Sequence, residues 1–201
     1  MKNYIMGIGL IILASIFLVF QTDINQYQRQ MEFVHDVAEE AAATAALEIV
    51  LGDDGASNVT QTFANGFIKF KSPEAANAGM TIVKKNLKLD SAFVSADPYF
   101  SEAFHIVMYS FNQDGSYSKF IDGVKITDAG TFAFGDNFSD YCDSPYKERV
   151  ELLTGSEEII INYPSTVCII DAGKPRFRDS FGLKSLAKNI VEIGVYEYKH
   201  Y

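Results

Sequence analysis

Positive charge is scarce in this chain: its 201 residues hold 17 Lys and Arg against 26 Asp and Glu, a formal charge of −9. A nucleic-acid partner needs a basic face to neutralise phosphates, so that class of partner is excluded. Anionic lipid head groups are excluded on the same ground as a binding surface beyond any anchor. Histidine is rarer still, and His35 and His200 have no partners at ligand spacing, so the sequence offers no metal site. There is no Gly-rich phosphate loop and no GxSxG elbow, and hence no cofactor is expected. Asp53-Asp54-Gly55 and Asn112-Gln113-Asp114-Gly115 lack the alternating oxygen ligands and closing Glu of a calcium loop. Turn chemistry accounts for both. The chain also has no internal repeat and no low-complexity linker.

What is present begins at the N-terminus. Residues 4–20, YIMGIGLIILASIFLVF, carry no charge. Seventeen residues at about 1.5 Å each span roughly 25 Å, enough for a bilayer core of about 30 Å when the flanking side chains snorkel. A cleaved signal peptide is the rival reading, because Lys2 precedes the apolar run. Cleavage requires small residues at the end of the run, where this chain has Phe17, Leu18, Val19 and Phe20. An uncleaved transmembrane anchor over residues 1–21 is expected, in contact with the lipid bilayer through 4–20. Lys2 and the amino terminus on one side, against Asp23, Arg29 and Glu32 on the other, favour a cytoplasmic N-terminus and an extracytoplasmic C-terminal domain.

The polar stretch that follows is patterned. Apolar or small residues fall at Ile24, Tyr27, Met31, Val34, Ala38, Ala41 and Ala45, spaced alternately three and four apart. That is the rhythm of a helix packing along a seam, as in a coiled coil. It fails at Glu48, after about three heptads. The seam narrows from Ile, Tyr and Met to Ala, which permits close approach, although Ala is also the best helix former. The partner is open between another copy and the chain's own globular part. A breaker cluster, Gly52-Asp53-Asp54-Gly55, ends a membrane-proximal helix over 22–51.

Residues 56–201 read as one folded domain. A short strand at 66–70 leads into a helix over 73–87, with Ser72 as N-cap and Pro73 at the first helical position. Strands are expected at 103–111 and 117–121, joined across Asn112-Gln113-Asp114-Gly115 as a hairpin. Further strands are expected at 123–126, 131–134, 157–163, 166–170 and 190–198, with a short helix at 181–188. The fold class is α+β: a long transmembrane and amphipathic helix, then a mainly antiparallel sheet with one or two short helices.

Cys142 and Cys168 are the only two cysteines. In an exported domain an even pair suggests a disulfide, worth about 3 kcal/mol for a loop of this length; two buried free thiols are the alternative. A catalytic use is also conceivable. One His, a Cys some sixty residues later and an Arg soon after resemble a sortase transpeptidase, with His105, Cys168 and Arg176 or Arg178 in those roles. The local sequence Ser165-Thr166-Val167-Cys168 departs from the sortase pattern, which has Thr directly before Cys. Asn58-Val59-Thr60 and Asn137-Phe138-Ser139 match the N-glycosylation sequon, which matters only in a eukaryotic host.

The segment 27–47, YQRQMEFVHDVAEEAAATAAL, directly after a short-tailed membrane span, resembles the start of the TadE- and TadG-type proteins of tight-adherence systems. Those pilin-like proteins have a membrane helix, a helical stretch rich in Ala, and a variable extracytoplasmic domain. A type IV pilin would add a Gly/Phe processing site and a Glu at the fifth position beyond it. This chain has Gly7 and Gly9 but no acidic residue in the apolar run. The resemblance implies a non-enzymatic bacterial surface or assembly protein, a homo-oligomer or a partner of other pilin-like subunits through its N-terminal helix. The alternative is a monomeric, membrane-tethered binding or sensor domain with the helix as a stalk.

Overall fold

The computed structural model describes residues 2–49, 68–144, 146–154, 158–175 and 189–199. The first element is a single unbroken helix, α1 (Lys2–Ala46), 45 residues long and so about 68 Å in length. Between Lys2 and Asp23 its N-terminal half carries no charge and projects from the rest of the molecule, with a mean hydropathy of 2.0 over an 18-residue stretch of which 0% is buried. One helix among the described residues is therefore long and apolar enough to cross a membrane. The helix was expected to continue to residue 51 but ends at Ala46. Leu47 and Glu48 N–H groups close short turns on Thr44 and Ala45, and Ile49 pairs with Phe70 in an isolated antiparallel bridge.

Helix α2 (Ser72–Asn86) follows, with Pro73 in its first turn as expected. Ser72 does not cap it. Lys71 holds the cap position with no side-chain hydrogen bond, and the Ser72 hydroxyl is buried without a partner among the described residues. A five-stranded antiparallel sheet then forms in the order β3-β2-β1-β6-β7. Its strands are β1 (His105–Phe111), β2 (Ser116–Ile121), β3 (Val124–Thr131), β6 (Ser165–Asp171) and β7 (Val191–Glu197). A small pair, β4 (Asp136–Asn137) with β5 (Ile160–Ile161), lies between β3 and β6 in sequence. The β1–β2 hairpin is the one read from sequence: Val107 faces Ile121 and Phe111 faces Tyr117. Gly115 at φ +76° makes its turn possible, because that left-handed conformation carries no Cβ penalty for glycine.

Other expectations shift. The strand expected at 123–126 extends to Thr131 as β3, the strand expected at 131–134 does not form beyond Thr131, and that at 157–163 shortens to β5. A helix that the sequence reading did not anticipate, α3 (Tyr146–Thr154), follows the 3-10 turn Phe138–Tyr141. Only Phe70 of the strand expected at 66–70 pairs, and residues 66–67 lie outside the described residues, as do the breaker cluster at 52–55 and the helix expected at 181–188.

The sheet is covered on both faces, so its central strands are buried almost throughout: six of seven residues in β1 and all seven in β6. That is why β1 reads as the run Ile-Val-Met-Tyr rather than as strict alternation. Side chains alternate between two cores. Ile106, Met108, Cys168 and Ile170 pack with α1 and α2. Val107, Tyr109, Phe111, Val167 and Ile169 pack with Phe132, Phe138, Cys142 and Val150 on the other side.

Candidate functional site

The candidate site of this fold is the junction at which α1 leaves its exposed, apolar half and enters the domain. Val34, Ala38, Ala41 and Ala45 of the expected seam are completely buried. Tyr27 and Met31 are half-buried against the same cluster, and Ile24 is left exposed. The seam thus has a partner within its own chain: α2 on one side, β6 and β7 on the other. Val37, Ala42 and Ala46, outside the three-four spacing, are buried with it. The run Ala41-Ala42 with Ala45-Ala46 was the available signal, since a helix enclosed on two sides needs small residues beyond a single stripe.

Two glycines let the helix in. A Cβ on Gly194 of β7 would stand 2.1 Å from the Ala38 carbonyl carbon, and one on Gly79 of α2 would stand 2.9 Å from the Ala41 carbonyl oxygen. Backbone meets backbone at both places, so neither position admits a side chain. Polar bonds fix the register. Thr166 Oγ1 donates to the Ala42 carbonyl at 2.7 Å, the Tyr198 hydroxyl donates to the Ala46 carbonyl, and Asn86 Nδ2 donates to Glu40 Oε2 at 2.6 Å. His35 stands between two carboxylates, with Nδ1 3.4 Å from Glu192 Oε2 and Nε2 3.4 Å from Glu39 Oε1. Burial raises the Glu192 carboxyl above the usual range, and the nearby His35 partly offsets that rise. Read from His35 against Glu192 to Ala46 against Tyr198, α1 and β7 run side by side in the same direction.

The expected disulfide is not made. Cys142 and Cys168 are both free and buried. They belong to opposite cores, Cys168 with α1 and Cys142 with the aromatic cluster, so the sheet lies between them. Burial pushes the Cys142 thiol up to about 11 and Cys168 higher still, which keeps both protonated and inert at neutral pH. The sortase-like set is not brought together either. His105 pairs across the sheet with Asp171, three positions along β6 from Cys168, and alternation points the two side chains to opposite faces. The His105 ring is exposed, with Nδ1 3.0 Å from Asp122 Oδ2. Arg176, Arg178 and His200 lie outside the described residues.

Asn58-Val59-Thr60 lies outside the described residues, and the two other motifs serve local structure. Asn137 accepts a hydrogen bond from the Ser139 N–H and caps the 3-10 turn. The Asp114 carboxylate accepts from the Ser116 N–H and from Lys69 Nζ at the hairpin turn. Among the described residues no cluster of His, Cys, Asp and Glu has the makings of a metal site. A cavity of about 370 Å³ opens between Phe33 of α1, the end of α2 and the loop that follows. Three of its four polar side chains are already engaged: Asn86 with Glu40, Ser95 Oγ with the Leu87 carbonyl, and Asp97 with the Tyr99 N–H.

The fold and junction define a class: an α+β domain that takes half of a long, membrane-compatible helix as a core element. No known protein family, characterised protein or solved structure matches the chain.

Proposed function

We propose that this chain is a membrane-anchored, extracytoplasmic, pilin-like structural or assembly protein of a bacterial surface or secretion apparatus, without enzymatic activity. The observation that carries the reading is the continuity of α1, which passes from the exposed apolar half into the domain core with no break. A tether needs only a flexible link between anchor and domain. Here the apolar rod is held rigidly by the domain, an arrangement suited to subunits that stack rods in a common core while the domains face outward. Lys2 and the amino terminus before the span, against Asp23, Arg29 and Glu32 after it, fit an N-terminus in the cytoplasm and a domain outside.

Partners in such an assembly must use surface that the domain leaves free, and that is the apolar half of α1. Substituting charges for Ala38, Ala41 or Ala45 therefore does not test assembly, because those residues hold the domain itself together. The test is cysteine cross-linking within the membrane segment. Leu13→Cys and Phe17→Cys, both exposed, are oxidised in native membranes, and the buried native thiols leave the wild type as a clean control. A ladder of covalent dimers, either alone or with a heterologous subunit, supports assembly. Monomers only, at both positions and at native expression, would favour the tethered binding or sensor domain.

A further inference from the structure

We propose that the loop between α2 and β1, residues 87–104, is a foot that rests on the head-group layer of the bilayer that α1 crosses, so that the domain is seated on the membrane and not raised on a stalk. The inference rests on reading α1 as a membrane span and adds the surface the domain uses there. Two independent observations support it.

The first is position. The β7 strand runs alongside α1 away from the apolar half, so the start of β7 and the end of β6 mark the membrane side of the sheet. The loop lies beyond that edge. Phe100 bridges to Pro175, just past β6, and Tyr99 is within electrostatic reach of Tyr27 and Asp23. Tyr27, packed against the cluster that holds Tyr99 and Phe100, is seven residues beyond Phe20, about 10 Å of helix rise. The head-group layer adds about 5–7 Å beyond the hydrocarbon core, so little space remains between loop and lipid.

The second is inverted polarity. From Ala92 to Pro98 every second residue is exposed, and all four of these, Ala92, Val94, Ala96 and Pro98, are apolar. Between them Phe93, Ser95 and Asp97 are half-buried. Three polar side chains of the loop bond within it, while the Tyr99 hydroxyl is buried with no hydrogen-bond partner among the described residues. Asp90 Oδ1 accepts from the Ala92 and Val94 N–H groups, Ser95 Oγ donates to the Leu87 carbonyl, and Asp97 Oδ1 accepts from the Tyr99 N–H. The Ala96 N–H is likewise bonded to the Lys88 carbonyl. The tip of the loop thus presents Val94, 41% exposed, between three small or cyclic apolar residues, while the neighbouring polar side chains and N–H groups bond back into the loop. Phe93 is held at φ +60°, a conformation costly for a bulky residue, with its ring beneath Lys84 Nζ at 4.3 Å. That constraint keeps Val94 outward. From Ala92 to Pro98 the outward residues are uncharged, with exposed Lys88, Asp90 and Glu102 confined to the two ends of the loop; an uncharged tip suits zwitterionic head groups and agrees with a chain too acidic to seek anionic ones.

The full-length protein is reconstituted in phosphatidylcholine vesicles that contain a head-group nitroxide lipid. An environment-sensitive fluorophore is attached at Val94→Cys, at Pro98→Cys, or at the control Lys199→Cys at the far end of β7. Cys142 and Cys168 are buried and stay unlabelled. A label at 94 or 98 lies within about 10 Å of the head groups and loses about half of its emission or more, while one at 199 is unaffected. Flotation with the vesicles combined with unquenched labels at 94 and 98 would overturn the foot and leave the span intact. Shielding of those labels that requires high protein density, without lipid quenching, would also overturn it, in favour of a second copy on this loop. Failure to float overturns both readings.

Discussion

Between Met6 and Phe20 the large apolar side chains of α1 are exposed, Phe17 by 66% and Leu13 by 65%, whereas between Val34 and Ala46 the helix is walled in on two sides. The two regions share one backbone and one set of hydrogen bonds. They differ in what their side chains allow to approach. The outer half carries bulky side chains on every face, which suits a solvent of lipid tails. The inner half carries Ala on two adjoining faces, and the gain there comes from close backbone approach rather than from area, since a methyl group buries only about 0.8 kcal/mol. Glycines mark the same contrast. Gly7 and Gly9 have nothing within 4 Å of an added Cβ, and Gly194 has the backbone of Ala38.

The sharpest way to break this comparison is Gly194→Val. Its side chain collides with helix backbone that cannot move aside, and a loss of about 4 kcal/mol or more is expected. Near-ultraviolet circular dichroism and thermal melting in detergent should show a domain that no longer folds cooperatively. Gly9→Ala, in the same assay, should leave the melting temperature unchanged.

Next in size is Leu13→Asp, which costs about 3 kcal/mol of membrane insertion at the centre of the span. The expected result is a chain depleted from the membrane fraction with the melting temperature of its domain unaltered. A lowered melting temperature would mean that the outer half contributes to the fold after all.

The smallest effect concerns pH. The Glu192 carboxyl is raised in the folded state, so between its ordinary value and the raised one the folded chain binds more protons than the unfolded chain. Its contribution is therefore greatest at acidic pH and declines as pH rises through that window. Glu192→Gln should flatten this part of the stability profile measured by chemical denaturation. An unchanged slope would show that the ion cluster around His35 is too well solvated to matter.

Much of the sheet was legible in the sequence. Apolar, β-prone runs at 103–111 and 117–121 around a Gly-containing turn can hardly be anything but a hairpin, and the run at 166–170 has the continuous apolar character of a strand covered on both faces. The seam was legible as a surface but not as a contact. Spacing of three and four describes a helix against any partner, and only Gly194 and Gly79, distant in sequence, reveal that the partner is the domain. The disulfide expectation failed because a spacing of 26 carries no information about the face of the sheet on which each residue packs, Cys168 within β6 towards α1 and Cys142 after the 3-10 turn in the opposite core. Helix α3 was missed because its Tyr-Lys-Glu-Arg start gives little apolar periodicity. The outward Ala92, Val94, Ala96 and Pro98 were missed for the opposite reason: alternation looks the same whichever face is wet.

The parallel course of α1 and β7 has a mechanical consequence. When the domain is drawn away from the bilayer while the outer helix is held, force travels along the shared axis of helix and strand. The Ala42–Thr166 and Ala46–Tyr198 bonds, and the close fit of Ala38 on Gly194, then resist sliding together. Rupture must shear the whole contact at once, where a helix docked crosswise would peel off one turn at a time.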